Sequence, residues 1–209
     1  MAQLSEPRAR VEERARDKFQ AKRRELATAT LHTLAELGYA RTSLREIAQN
    51  SEYSHGVLHY YFSDKLDLIA EAVRQYEDVC VTRYDGVVQH SADADDLRKS
   101  FGDTFFDTLL RDAPIHRLWY DMRNQSLFDS SFRAQVLEIE ASREQMIWRV
   151  VSRYCDLKGV EPQLDPTTAY IVLDGIFQRA LLHHLADDAE QVDAARGHLA
   201  AVFDGLDRG

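Results

Sequence analysis

Between residues 51 and 65 the chain reads SEYSHGVLHYYFSDK. His55 and His59 stand four apart, with Gly56 after the first, Tyr60 and Tyr61 after the second, and Lys65 beyond. Two chemistries use such a set. Imidazoles at i and i+4 share one helix face and can hold zinc, but the zinc-protease pattern needs a glutamate directly after the first histidine. Gly56 stands there, and spacing nominates no third ligand. The other chemistry is recognition of a polyanion. Serine and tyrosine hydroxyls, backbone amides and a lysine bind phosphates, histidine rings reach base edges, and a glycine lets the backbone come close. No nucleophile motif or phosphate-cradling glycine loop occurs, and His116 and the pair His183-His184 read as ordinary helix residues. A non-enzyme without metal or cofactor is expected.

The elements that must position this stretch are helical. Leu26, Leu31 and Leu34 recur at helical spacing up to Gly38, a natural left-handed cap. Ser43-Leu-Arg-Glu46 is a capping box, and its helix ends near Asn50. Ser54 can cap a third helix with Val57, Leu58 and Tyr61 on its inward side, and Ser63 a fourth running to Cys80. Two short helices joined by Ser51-Glu-Tyr have the dimensions of a helix-turn-helix, whose second helix enters the major groove. Longer helices follow over residues 95–111, from Pro114, over 131–155 with Phe132 and Val136 inward, after Asp165-Pro166, and around Val192–Leu206. The fold class is all-α: an N-terminal three-helix helix-turn-helix domain plus a larger helical domain.

Charge divides the chain the same way. Residues 1–65 hold 11 Lys+Arg against 9 Asp+Glu, and residues 66–209 hold 15 against 26, which together give the net −9. Eight of the basic residues lie between Arg8 and Arg24. A basic head on an acidic body expects only the head to meet a polyanion. The divisions that follow are a basic arm over 1–20, a DNA-binding domain over 21–68, and a ligand-binding and dimerisation domain over 69–209. No apolar run is long enough to cross a bilayer, no secretion signal is evident, and Cys80 and Cys155 lack paired spacing. A cytoplasmic protein with no membrane partner is expected.

Thr42-Ser-Leu-Arg-Glu-Ile-Ala48, Ser54-His-Gly-Val-Leu-His-Tyr-Tyr-Phe62 and Lys65-Leu-Asp-Leu68 together resemble the DNA-binding region of tetracycline-repressor (TetR) family regulators. The resemblance runs from Gly38 to Leu68. It implies a homodimer whose small domain binds double-stranded operator DNA, and whose larger domain holds a small-molecule effector and dimerises through its last two helices. The function it implies is a ligand-responsive transcriptional repressor. Carried over by position, Thr42, Ser43, Ser54, Tyr60, Tyr61 and Lys65 would contact phosphates, and His55, Gly56, Val57 and His59 would face bases. Ile47, Ala48, Leu58 and Phe62 would be core. The family's usual Ala-Gly-Val turn is here Ser51-Glu52-Tyr53, so either the turn is reshaped or Glu52 bears the strain of a glycine's conformation, and His59 replaces a usual tyrosine. The rival reading is a helical ligand-binding or interaction protein that has lost DNA binding.

For the larger domain, Phe101, Phe105, Trp119, Tyr120, Met146 and Trp148 could line a pocket, since binding sites are mainly apolar with a few polar anchors. His116 and Arg123 would supply the anchors, fitting an anionic or hydrogen-bonding head group. The helix from Pro166 is apolar on two sides and so needs two partners. A second copy of the chain is one of them, through Tyr170, Leu173, Phe177 and Leu181 with Val192, Leu199 and Val202 of the last helix.

Overall fold

A computed structural model describes residues 6–38, 42–131 and 133–206, with side chains from residue 10 onward. Phe132, the first five residues of the basic arm, the Arg8 side chain and residues 39–41 of the family-like segment lie outside the described residues. The described chain is a succession of helices: α1 (Glu6–Leu37), α2 (Leu44–Gln49), α3 (His55–Tyr61), α4 (Lys65–Cys80), α5 (Asp85–His90), α6 (Ala94–Arg111), α7 (Ala113–Gln125), α8 (Arg133–Lys158), α9 (Pro166–Leu185) and α10 (Ala189–Leu206). α1 runs unbroken across residue 20, so the basic segment from Glu6 onward extends that helix.

Local chemistry sets most boundaries. Ser43 Oγ accepts from the Glu46 amide at 3.2 Å, and Ser54 Oγ from the Val57 amide at 3.3 Å. Asp165 caps α9 through the Thr168 amide at 3.0 Å, with Pro166 at its first position, where its missing N–H costs nothing. Gly38 closes α1 at φ +73, a conformation that L side chains resist. One expectation is corrected. Asp64, not Ser63, caps α4, accepting from the Asp67 amide at 2.9 Å, while the Ser63 amide donates to Asp67 Oδ2 at 3.0 Å. A carboxylate is the stronger acceptor for a free amide, and here it wins the position.

Of the two expectations for the turn between α2 and α3, the structure has the reshaped turn. Asp187 is the sole non-glycine with positive φ among the described residues, so Glu52 carries no such strain. The turn is reshaped around Tyr53, whose half-buried ring packs on the core beneath the Lys22 ammonium, 5.6 Å from the ring centre.

α1 lies against α4 and α7, α8 and α10 flank α9, and α6 packs on α7, α8, α9 and α10. One apolar core runs from Leu26 and Leu58 through Leu68, Ile69 and Val73 of α4 to Trp119, Tyr154 and Phe203. This core absorbs the stripe expected to meet a second chain. Tyr170, Leu173, Phe177, Leu181, Val192 and Leu199 are buried within the single chain, and Val202 is half-buried. The stripe faces α6, α7 and α8, which the periodicity of α9 alone could not reveal. What α9 leaves exposed is Ile171, Val172, Leu182 and Leu185.

Candidate nucleic-acid interface and interior cavity

α3 presents one side to solvent. His55, Gly56, Val57, His59 and Tyr60 are exposed, whereas Leu58 and the following Phe62 are buried. The two histidine rings meet edge to face with centroids 4.4 Å apart. A Cβ built on Gly56 would touch nothing within 4 Å, and its φ is not positive. The protein itself therefore gives no reason for glycine at that position. Ser43 and Ser54 use oxygen lone pairs to cap their helices, which leaves each hydroxyl hydrogen available to an outside acceptor.

One side chain expected at a phosphate is placed otherwise. Thr42 is 4% exposed and its hydroxyl donates to the Gly38 carbonyl, so its one hydrogen is spent inside the fold. Tyr61 is half-buried against Phe19 of α1, with ring centroids 4.9 Å apart. Tyr60 beside it stays 72% exposed. Lys65 opens α4, half-buried.

Sequence reasoning missed what holds α3 in place. Arg23, counted among the basic arm, donates to the Tyr61 carbonyl at 2.6 Å and to both oxygens of Asp67 at 2.6 and 3.1 Å. Its guanidinium lies 4.6 Å over the Phe62 ring. Arg23 thus ties α1 to the end of α3 and the start of α4. Burial favours the neutral acid at Asp67, but the hydrogen bonds from Arg23 and Ser63 outweigh it and hold the carboxyl below the ordinary range.

In the larger domain a cavity of about 40 Å³ is lined by Cys80, Arg83, Tyr84, Phe105, His116, Arg143, Met146, Ile147, Tyr170, Leu173, Asp174 and Phe177. Of the pocket residues expected from sequence, Phe105, His116 and Met146 are on this wall. Phe101, Trp119 and Tyr120 are buried in the core instead, and Trp148 is half-buried against it. Arg123 is held by Asp174 at 2.6 Å and Glu140 at 3.1 Å, and is spent as an anchor. The unforeseen members include three charged side chains, Arg83, Arg143 and Asp174. Arg143 makes a two-pronged pair with Glu77 at 2.8 and 2.6 Å, both side chains under 10% exposed, and stacks 4.5 Å over Trp119. Burial, with the Arg143 and Arg83 charges adding to it, pushes the His116 ring down to a pKa of about 3. Burial likewise raises the Cys80 thiol, which keeps it a neutral wall group.

Residues 26–72 match the family model of "Bacterial regulatory proteins, tetR family". Over that segment the chain is tetR-like. A curated relative, the HTH-type transcriptional regulator BetI of Burkholderia thailandensis, is 30% identical over 117 residues, covering 54% of this chain and 58% of its own length. The chain thus spans little more than half of the curated relatives it matches. Solved tetR-like structures extend the likeness to the whole fold. A TetR transcription regulator from Haloarcula marismortui is 22% identical with TM-score 0.67, covering 89% of this chain and 98% of its own. FadR from Bacillus subtilis, solved in complex with stearoyl-CoA, is 18% identical with TM-score 0.65, covering 87% and 97%.

Within the tetR matched segment lie the α2–α3 pair, the Arg23-held junction's Asp67, and the first half of α4; Arg23 itself and the cavity fall outside it. Among the described residues no three His, Cys, Asp or Glu side chains converge on a point that could hold a metal, and no helix is long and apolar enough to cross a membrane.

Proposed function

We propose that the protein is a ligand-responsive, sequence-specific DNA-binding transcriptional regulator, a repressor released from its operator when a small molecule occupies the larger domain, and that it acts in the cytoplasm without catalysing a reaction. The observation that carries the reading is the exposed side of α3. His55, Val57 and His59 offer groups to base edges, Ser43, Ser54, Tyr60 and Lys65 offer donors to phosphates, and Gly56 is open where no packing requires it. BetI and the tetR structures are named as transcriptional regulators, which supports the same reading.

A homodimer fits the remaining surface. Along α10 the exposed residues include Ala194, Gly197, Ala201 and Gly205, and a Cβ on Gly197, Gly205 or Gly175 of α9 would meet nothing within 4 Å. Each helical glycine costs about 1 kcal/mol relative to alanine, and nothing within the chain returns that cost. Close approach of a second helix would, with Ile171 and Leu182 as apolar partners.

The link from cavity to DNA is supported by α7. His116 lines the cavity, and the next residue, Arg117, reaches the Ala35 and Glu36 carbonyls at the end of α1, at 2.5 and 3.1 Å. A ligand that favours another position of His116 acts on the arrangement of α1 through one peptide unit.

The test is binding of the purified chain to DNA from upstream of its own gene, at two salt concentrations, beside a scrambled fragment. Selective binding that weakens with salt is expected. No binding to either at low salt would overturn the regulator reading in favour of a helical ligand-binding protein without DNA function.

A further inference from the structure

The charged side chains around the cavity are matched to one another. Arg143 is on Glu77, Arg83 donates to Asp112 at 3.3 Å and to the Tyr76 hydroxyl at 2.8 Å, and Asp174 accepts from the Tyr120 hydroxyl at 2.8 Å and from Arg123. One polar atom on the wall is left over. His116 is 2% exposed, and its Nδ1 has no protein group within hydrogen-bond reach.

The other side of the ring decides what Nδ1 presents. Asp112 accepts hydrogen bonds from Tyr76, Arg83, Arg111 and Thr108, so it is a carboxylate with no hydrogen to give. The single hydroxyl hydrogen of Thr108 is therefore committed to Asp112, at 3.1 Å. The Thr108 oxygen then faces His116 Nε2, at 3.5 Å, as an acceptor only. That places the ring's hydrogen on Nε2 and leaves Nδ1 as a buried lone pair. The apolar part of the cavity wall is Phe105, Met146, Leu173 and Phe177, and the Phe177 ring meets the His116 ring edge to face with centroids 4.7 Å apart.

We propose that this cavity is the effector site for a compact, neutral molecule, a small apolar body carrying one O–H or N–H that donates to His116 Nδ1; short alcohols are the class. The proposal rests on the ligand-responsive reading above. Neutrality follows from the pairing: a charged ligand would lose its water and find every counter-charge already engaged. Donor character follows from the lone pair, because an ether or ester would set acceptor against acceptor. Compactness follows from the volume: about 40 Å³ is too little for a long acyl chain.

The experiment uses the intact protein and four probes of nearly equal size: 1-butanol, methyl propyl ether, butanoate and butylamine. Affinities come from ligand-dependent melting shifts, and the Nδ1 resonance of His116 is followed by nitrogen NMR. The alcohol should bind roughly three- to tenfold more tightly than the ether, the size of one hydrogen bond, with both ions weaker still. Nδ1 should move with the alcohol and stay with the ether. In His116→Phe the alcohol's advantage should vanish; if that variant does not fold, the NMR shift on the native chain decides. Equal binding of alcohol and ether, tightest binding of butanoate or butylamine, or an Nδ1 resonance unmoved by the alcohol would each overturn the proposal. Alcohol binding with the expected preference but no effect on operator binding would instead sink the regulatory reading and leave the site intact. Operator release by an anionic compound would do the reverse.

Discussion

Replacing Glu77 by glutamine tests how the two halves of the larger domain are joined. Glu77 on α4 and Arg143 on α8 are 4% and 7% exposed, and both oxygens of the carboxylate are engaged, at 2.6 and 2.8 Å. Glu77→Gln keeps the shape but leaves the Arg143 guanidinium buried beside Trp119 with no counter-charge. Breaking one side of a buried pair costs about 3–5 kcal/mol, whereas exchanging both partners for apolar groups of similar volume is often neutral or stabilising. For a chain of this length each kcal/mol moves the melting temperature by about 2–4 °C, so the single variant should melt roughly 6–20 °C below the parent. The double variant Glu77→Leu with Arg143→Met should recover most of that loss. Urea and thermal unfolding of parent, both single variants and the double, at one fixed protein concentration, close the cycle. A single variant within 1 kcal/mol of the parent, or a double variant as unstable as the two singles summed, would refute the reasoning. The first result would mean that water or a neighbouring carboxylate reaches Arg143; the second, that the two side chains stabilise separately.

Gly56→Ala should leave stability unchanged or raise it by up to about 1 kcal/mol, since the added methyl meets only open space, while DNA affinity falls because that space is where the backbone approaches the duplex. Thermal melting and fluorescence anisotropy on the same variant read the two effects, and unchanged affinity would remove the amino end of α3 from the interface. Arg23→Met should destabilise the chain by about 1–2 kcal/mol through its lost hydrogen bonds to Tyr61 and Asp67 and weaken DNA binding without altering the salt slope; a slope shallower by about 0.9 would make Arg23 a phosphate contact instead. Acid should cost stability through His116: its folded pKa of about 3 lies below the unfolded value of about 6.5, so the unfolded chain takes up the proton first as pH falls. The loss is roughly 1.4 kcal/mol per pH unit across that window, and His116→Leu should show a visibly shallower acid limb in denaturation followed from pH 7 to 4.

How much of this was legible in the sequence depends on how far apart the interacting groups lie along the chain. Ser43, Ser54, Asp165 and Gly38 act on amides or carbonyls within one turn, and such boundaries follow from a few consecutive residues. The exposed side of α3 was legible in part for the same reason: Leu58 and Phe62 mark its inward edge within the helix itself, but the helical period also placed Val57 inward, and it is exposed. α5 was not, having no buried residue and no side-chain cap to announce it. The cavity was hidden differently. Its decisive contacts join Glu77 to Arg143 and Asp174 to Tyr120, pairs 66 and 54 residues apart, whose members each look like a solvated charge or a core ring when read alone. Periodicity likewise found both apolar sides of α9 but could not rank them, since which side a helix buries is decided by α6, α7 and α8 around it. His116 shows the limit most plainly. Spacing marked it as a polar anchor near aromatic residues; which of its nitrogens carries the hydrogen depends on Thr108 and Asp112, which are near in sequence, but also on Tyr76 and Arg83, donors to Asp112 that no local pattern brings there.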